Sequence, residues 1–135
     1  MQVKLALAAD GANVSREGKL NLLGIFDTLF ARSFPTTHPQ MQLVIRFEAA
    51  PAEAGSTRQV DIQLVADDGR VLFRLPGALT VPQRGFGDAI RMDHVLTLNH
   101  VQFERPGRYR FDVLLDGKVA AAVPLQVEEV AAAAH

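Results

Sequence analysis

His38 is the residue whose type and neighbours could do chemistry. It sits in Ser33-Phe34-Pro35-Thr36-Thr37-His38-Pro39, beside two hydroxyls, with Asp27 upstream at the end of an apolar run. An imidazole titrates near neutral pH, and with hydroxyls and a carboxylate in reach it could bind an anion or move a proton. Asp27, Thr36, Thr37 and His38 are therefore the candidate ligand-binding set. A small ligand or carbohydrate would occupy a cleft near residues 27–39, and a hydrolase using His38 is the stronger form of that idea. The competing reading is plainer and preferred. Threonines in a connector bond local backbone, and His38 caps the turn. No catalytic residue is assigned.

Other chemistries find less support. His94, Asp93 and His100 are close in sequence, but adjacent strand residues point to opposite faces. Asp10, Asn13 and Glu17 carry oxygens without matching a calcium-loop pattern. The chain has no Cys, which removes disulfides, thiolate ligands and thiol catalysis and fits a cytoplasmic protein. Ser15, Ser33 and Ser56 are outside any G-x-S-x-G elbow. Gly85-Phe86-Gly87 lacks the spacing of a phosphate loop. Asp67 and Asp68 read as turn residues rather than paired carboxylates. Arg105, Arg108, Arg110 and Lys118 are interleaved with Glu104, Asp112 and Asp116, the pattern of a mixed solvated face. No metal and no cofactor are expected. A net charge of −1, a single Tyr and no Trp argue against a nucleic-acid partner.

The elements that must position these residues are strands. At 135 residues the chain suits one domain, expected over 1–129, with an Ala-rich tail at 130–135 that frays. Val3, Leu5 and Leu7 alternate, and the run meets Asp10 too soon for a secretory signal. No stretch approaches the roughly 20 apolar residues of a membrane span, so no membrane partner is expected. Residues 10–18 read as a loop rich in turn formers, followed by a strand over 19–26 with Gly24 marking a bulge or close approach. Residues 27–31 continue that strand or form a helical turn. The two prolines stiffen 33–39. Met41, Leu43, Ile45 and Phe47 alternate strongly.

Further along, Val60, Ile62 and Leu64 face inward, as do Val71, Phe73 and Leu75. Pairing Leu64 with Phe73 across Asp68-Gly69 predicts a two-residue type I′ turn. Residues 76–87 read as a long loop, with Leu79-Thr80-Val81 a candidate extended stretch within it. Ile90, Met92, His94, Leu96 and Leu98 share one phase; Val101 and Phe103 do not, so the chain must bulge or turn near Asn99-His100. Gly107-x-Tyr109 resembles a tyrosine corner, in which the phenol bonds to upstream backbone. In the last hairpin, inward residues from Phe111 to Val123 are all odd. That parity predicts a three-residue loop, Leu115-Asp116-Gly117, with Gly117 left-handed and a bulge beside it. Pro124 faces outward and needs a free edge or a bulge. About eight strands and no convincing helix imply an all-β fold, an antiparallel β-sandwich of immunoglobulin-like or C2-like type.

Lys19-Leu-Asn-Leu-Leu-Gly-Ile-Phe-Asp27, Phe34-Pro-Thr-Thr-His-Pro39, Leu43-Val-Ile-Arg-Phe47, Pro106-Gly-x-Tyr-x-Phe111 and Asp116-Gly117 together resemble an uncharacterised family of small bacterial proteins. The resemblance implies a bacterial, cytoplasmic protein and brings no catalytic residues with it.

The outward phase carries the remaining signal. Leu23, Ile25, Val44, Val65, Leu72 and Leu114 all fall where side chains should meet water. A contiguous apolar patch marks a contact surface, whereas a single exposed apolar residue does not. These six are the candidate interface. The expected function is non-enzymatic protein–protein association, as a homodimer or with a partner protein.

Overall fold

The computed structural model describes residues 1–83 and 88–131. Nine strands account for most of them: β1 (Gln2–Val14), β2 (Leu20–Phe26), β3 (Thr28–Ala31), β4 (Thr36–Ala49), β5 (Thr57–Ala66), β6 (Val71–Thr80), β7 (Ile90–Phe103), β8 (Gly107–Leu115) and β9 (Lys118–Glu129). They form two stacked sheets, ordered β2-β1-β4-β7 and β3-β9-β8-β5-β6. The fold is an all-β sandwich. All pairings are antiparallel except β3–β9, which is parallel.

The core follows from the period of two. Met41, Leu43, Ile45 and Phe47 of β4 are buried with Ile62, Leu64, Phe111, Val113, Val123 and Leu125 of the opposing sheet. Fully burying a side chain of this size contributes about 1.5–3 kcal/mol. Phe103 packs edge-on against Tyr109, with centroids 4.9 Å apart. The Tyr109 hydroxyl donates to the Arg105 carbonyl oxygen at 2.6 Å, so the tyrosine corner is present.

Several local expectations are corrected. The loop expected over 10–18 shrinks, because residues 10–14 continue β1 and pair with β2 up to Val14↔Leu20. Cross-strand pairing outweighs the turn preference of Asn13, whose side chain bonds Asn21. Residues 28–31 form neither a helical turn nor a continuation of β2; they cross to the other sheet and join β9. The connector ends earlier than expected, since Thr36 already belongs to β4. The Phe34–Pro35 bond is cis. Residues 76–80 are strand rather than loop. The reading of 84–87, including Gly85-Phe86-Gly87, and most of the tail lie outside the described residues.

The two hairpin turns have exchanged types. At β5–β6 the loop has three residues. The Gly69 N–H donates to Ala66, and Gly69 has φ 87° while Asp67 and Asp68 have negative φ. Leu64 still faces Phe73, because an extra residue bulges where Val65 meets Val71. At β8–β9 the loop has two residues, Asp116 and Gly117, with φ of 49° and 83°. Both are left-handed, as a type I′ turn requires. The bulge sits farther back, between Val113↔Ala121 and Leu114↔Val119. Pro124 is exposed opposite Arg110; β3 pairs with β9 only from Gln126 onward, so β9 is a free edge at Pro124.

Candidate functional site

The set around His38 does not assemble. His38 pairs with Val101 in the β4–β7 ladder, and its half-buried ring lies 6.0 Å from that of Phe26. Thr36 and Thr37 pair with Phe103 and Gln102. Asp27 sits where the chain changes sheets; its carboxylate accepts the Thr28 hydroxyl at 3.0 Å and its carbonyl accepts the Gln126 N–H at 2.7 Å. Asp27 does line a cavity of about 410 Å³, with Thr28, Arg108, Arg110 and Gln126. That cavity lies on the opposite sheet from β4, and none of Thr36, Thr37 or His38 lines it.

His94 is half-buried, with its ring edge-on to Phe47 at 5.6 Å. Burial pushes its pKa below the ordinary imidazole value, against a smaller opposing pull from Asp93. Among the described residues no three His, Asp or Glu side chains cluster as metal ligands would. Among those residues, too, no helix is long and apolar enough to cross a membrane.

The six candidate interface residues part company. Leu23 and Ile25 are 73% and 61% exposed on β2. Val44 shares their face but is 0% exposed, closed over by its neighbours in the central strand, so it supports the surface without offering contact area. Val65, Leu72 and Leu114 belong to the other sheet. Val65 is 2% exposed, Leu72 packs against the core from the β6 bulge, and Leu114 is half-buried beside Asp61. These three do not extend the patch. Outward phase fails as a guide to exposure in central strands, where neighbours on the same face cover one another.

Register shows what sequence phase alone misses. Paired residues share a face. Ile25 pairs with Ala9, Ala9 with Gln42 and Gln42 with Thr97; Leu7 pairs with Val44 and Val44 with Val95; Leu23 pairs with Gly11. Leu5 lies opposite Arg46. The outer face of the first sheet is thus an apolar field of Leu5, Leu7, Leu23, Ile25, Val44 and Val95. Gln42 stands in its middle, with a buried Oε1 that has no hydrogen-bond partner among the described residues. Its edge is polar but self-satisfied. Arg46 makes two bonds to Asp93 at 2.7 and 3.2 Å, and Gln40 bonds Asn99 at 3.0 Å. The alternation of Leu5 and Leu7 was legible, but it carried no sign of which alternate set faced out.

The outer face of the second sheet is mixed: Phe30, Val71 and Val119 are exposed on it, and its centre is charged. Asp61 and Asp112 are buried there, with Arg74 bonded to Asp61 at 2.5 Å and Arg110 to Asp112 at 2.9 Å. Gln63 lies between Arg74 and Asp112 in the ladder. Charges of both signs pair across the centre of this sheet, although Asp61 Oδ1 has no partner among the described residues.

Residues 4–128 match a family described as a family of unknown function, DUF6941. The chain belongs to that family. No curated protein matches. Among solved structures, the alkylpurine DNA glycosylase AlkC of Pseudomonas fluorescens, bound to DNA containing an abasic site analog, is similar at 16% identity and TM-score 0.46. The match covers 76% of this chain and 27% of that one. A glycosyl hydrolase family 2 member from Bacteroides cellulosilyticus is similar at 14% identity and TM-score 0.39, over 69% of this chain and 14% of that one. The chain thus spans about a quarter (27%) or less of these proteins, and likeness at this level carries no argument about function.

Proposed function

We propose that this DUF6941 chain is a non-enzymatic association module that pairs with a second copy of itself through the outer face of the sheet β2-β1-β4-β7. One observation carries the reading: the two outer faces of a single sandwich differ at their centres. The second sheet's centre holds the ion pairs Asp61–Arg74 and Asp112–Arg110, with exposed Phe30, Val71 and Val119 scattered toward its edges and ends, while the first presents Leu5, Leu7, Leu23, Ile25 and Val95 around the Gln42 side chain.

Area and charge favour a second copy. Four strands at ~4.8 Å spacing, crossed by about eight residues at ~3.3 Å, give a footprint of roughly 500 Å² per copy. Two copies then bury about 1,000 Å², the lower bound for a specific interface. Arg46 and Asp93 neutralise each other within the chain, so like faces meet without net repulsion. An isologous contact of this type is the commonest way for soluble chains to pair. Nucleic acid is not part of the proposal, because the net charge is −1. The cytoplasmic location belongs to the same proposal and draws on the family resemblance.

The strand order also supports reading the sandwich as immunoglobulin-like. β4, β5, β7, β8 and β9 take the places of strands B, C, E, F and G, and Tyr109 stands at the start of the F equivalent. The first strand then appears as the β1–β2 hairpin, which is what widens the apolar face.

Light scattering at micromolar concentration tests the pairing. The expected mass is twice that of the chain, falling to one chain in the double variant Leu23→Asp, Ile25→Asp. A monomeric wild-type chain overturns self-association and leaves the face to a different protein.

A further inference from the structure

The sandwich is open on one side. β7 ends one sheet and β6 ends the other, and the two free edges wall a groove of about 660 Å³. Leu72, Phe73, Leu75, Leu98 and Val101 form its apolar floor, and Arg70, Thr97, Asn99, His100, Gln102 and Glu104 form a polar rim. All five floor residues are core residues by position or contact. Phe73 pairs with Leu64 and Leu75 with Ile62, both of which are buried. Yet Leu75 remains 38% exposed, because among the described residues the facing sheet ends at β7 and puts no strand over it. The floor of the groove is thus an uncovered margin of the core.

Its walls ask for a backbone. Val81 donates to the Ser56 carbonyl and accepts from the Gly55 N–H, so its main-chain groups point toward the β5 side. Strand alternation then turns the groups of residues 74, 76, 78 and 80 outward. The side-chain contact of Thr57 with Thr80 at 3.0 Å agrees, since side chains approach closest in non-hydrogen-bonded pairs. Pro76 fits this alternation, because the N–H it lacks would have had no partner in β5. Among the described residues, the edge at Arg74 therefore presents a donor and an acceptor without a main-chain partner, beside the apolar floor. The other wall is interrupted by His100, whose φ of 54° breaks the extended run of β7.

We infer that this groove takes an extended peptide segment from a partner protein, added as a strand along β6 with apolar side chains at alternate positions. Every second side chain would fill the gap over Phe73, Leu75, Leu98 and Val101, and the backbone would pair with the β6 edge at Arg74. A row of main-chain donors and acceptors next to an apolar slot is the chemistry of strand addition. This surface is separate from the apolar face of the first sheet, and it does not depend on self-association.

The test is selection of a displayed linear peptide library of about nine residues, which span ~30 Å when extended, against the full chain. Selected peptides are expected to carry apolar residues at alternate positions and to slow hydrogen exchange at the Arg74 amide. Methylating alternate backbone nitrogens of a selected peptide should weaken binding about ten-fold or more while keeping its side chains. Leu75→Asp should weaken it similarly with the oligomeric mass unchanged, and Leu23→Asp, Ile25→Asp should leave it intact. Failure to select any binder, binders without alternation, indifference to N-methylation, or equal binding to Leu75→Asp would each overturn the inference.

Discussion

Pro39 stands opposite His100 at the point where β4 and β7 exchange their faces together. On one side Met41 pairs with Leu98, and on the other His38 pairs with Val101. Leu98 and Val101 are both buried although they are three residues apart, which an unbroken strand cannot arrange. The register is unchanged across this point, so no residue is inserted. His100 makes the switch by adopting φ 54°. A left-handed conformation is rare for a residue with a Cβ and strained for a β-branched one. His100→Val should therefore destabilise the fold by about 1–3 kcal/mol, whereas His100→Gly should be neutral or stabilising. Urea unfolding of both variants checks this, and equal midpoints would mean that His100 carries no strain.

Tyr109 fixes the next turn of the chain. Its hydroxyl reaches back four residues to the Arg105 carbonyl at 2.6 Å, while its ring packs on Phe103. Tyr109→Phe keeps the ring and removes the bond, so it should cost about 1 kcal/mol. The unfolding midpoint in urea should fall with an unchanged slope. An unaltered midpoint would show that water replaces the bond at no cost.

Much of this frame was legible in the sequence, and the misses share one cause. Counting the parity of inward residues yields the sum of loop residues and bulges, but not how that sum is divided. At β5–β6 parity expected an even loop, and the chain uses three residues plus one bulge. At β8–β9 parity expected an odd loop, and the chain uses two residues plus one bulge. The left-handed Gly117 and the facing pair Leu64–Phe73 were both readable, because glycine chemistry and hydrophobic phase are local. The apolar face was not. Leu23 and Ile25 were grouped with Val65, Leu72 and Leu114, which lie on the other sheet, and only the β2–β1–β4–β7 register joins them to Leu5, Leu7 and Val95. Asp27 and His38 looked able to share a cleft near residues 27–39, yet the change of sheet at Asp27 sends them to different layers.

Acid should unfold the protein in two stages. His94 is held below its ordinary pKa by burial, so the folded state prefers it neutral. The unfolded chain takes up that proton near pH 6.5, and stability declines as pH falls from there toward the lowered value. Carboxylates act at lower pH. The Gln59 N–H and then Arg58 hold Asp116 below the usual carboxylate range, and the N-terminal ammonium with the Ala50 N–H does so for Glu53. Their contribution is complete above the ordinary carboxylate pKa and is lost as pH falls through the depressed values. His94→Met should flatten the upper stage only, and Asp116→Asn should reduce the lower one. Midpoints measured from pH 7.5 to pH 3 separate the two; a single acid transition unaffected by His94→Met would refute the first.

The Asp61–Arg74 pair should behave as a unit. Asp61 is 1% exposed, with Oδ2 bonded to Arg74 at 2.5 Å and Oδ1 without a partner among the described residues. The carboxylate has therefore lost water on both oxygens and regained a strong bond on one. Arg74 is half-exposed, so its own desolvation is small by comparison. Arg74→Ala leaves the buried carboxylate with only the long 3.4 Å contact to Gln59, and should cost about 1–3 kcal/mol. Replacing both partners, with Asp61→Val and Arg74→Met, removes the stranded charge and suits a strand surface, so the double variant should be more stable than Arg74→Ala. A double-mutant cycle completed with Asp61→Val and Arg74→Met alone measures the coupling. Strictly additive values would mean that the carboxylate is served by water, and that the second sheet's outer face owes nothing to its paired charges.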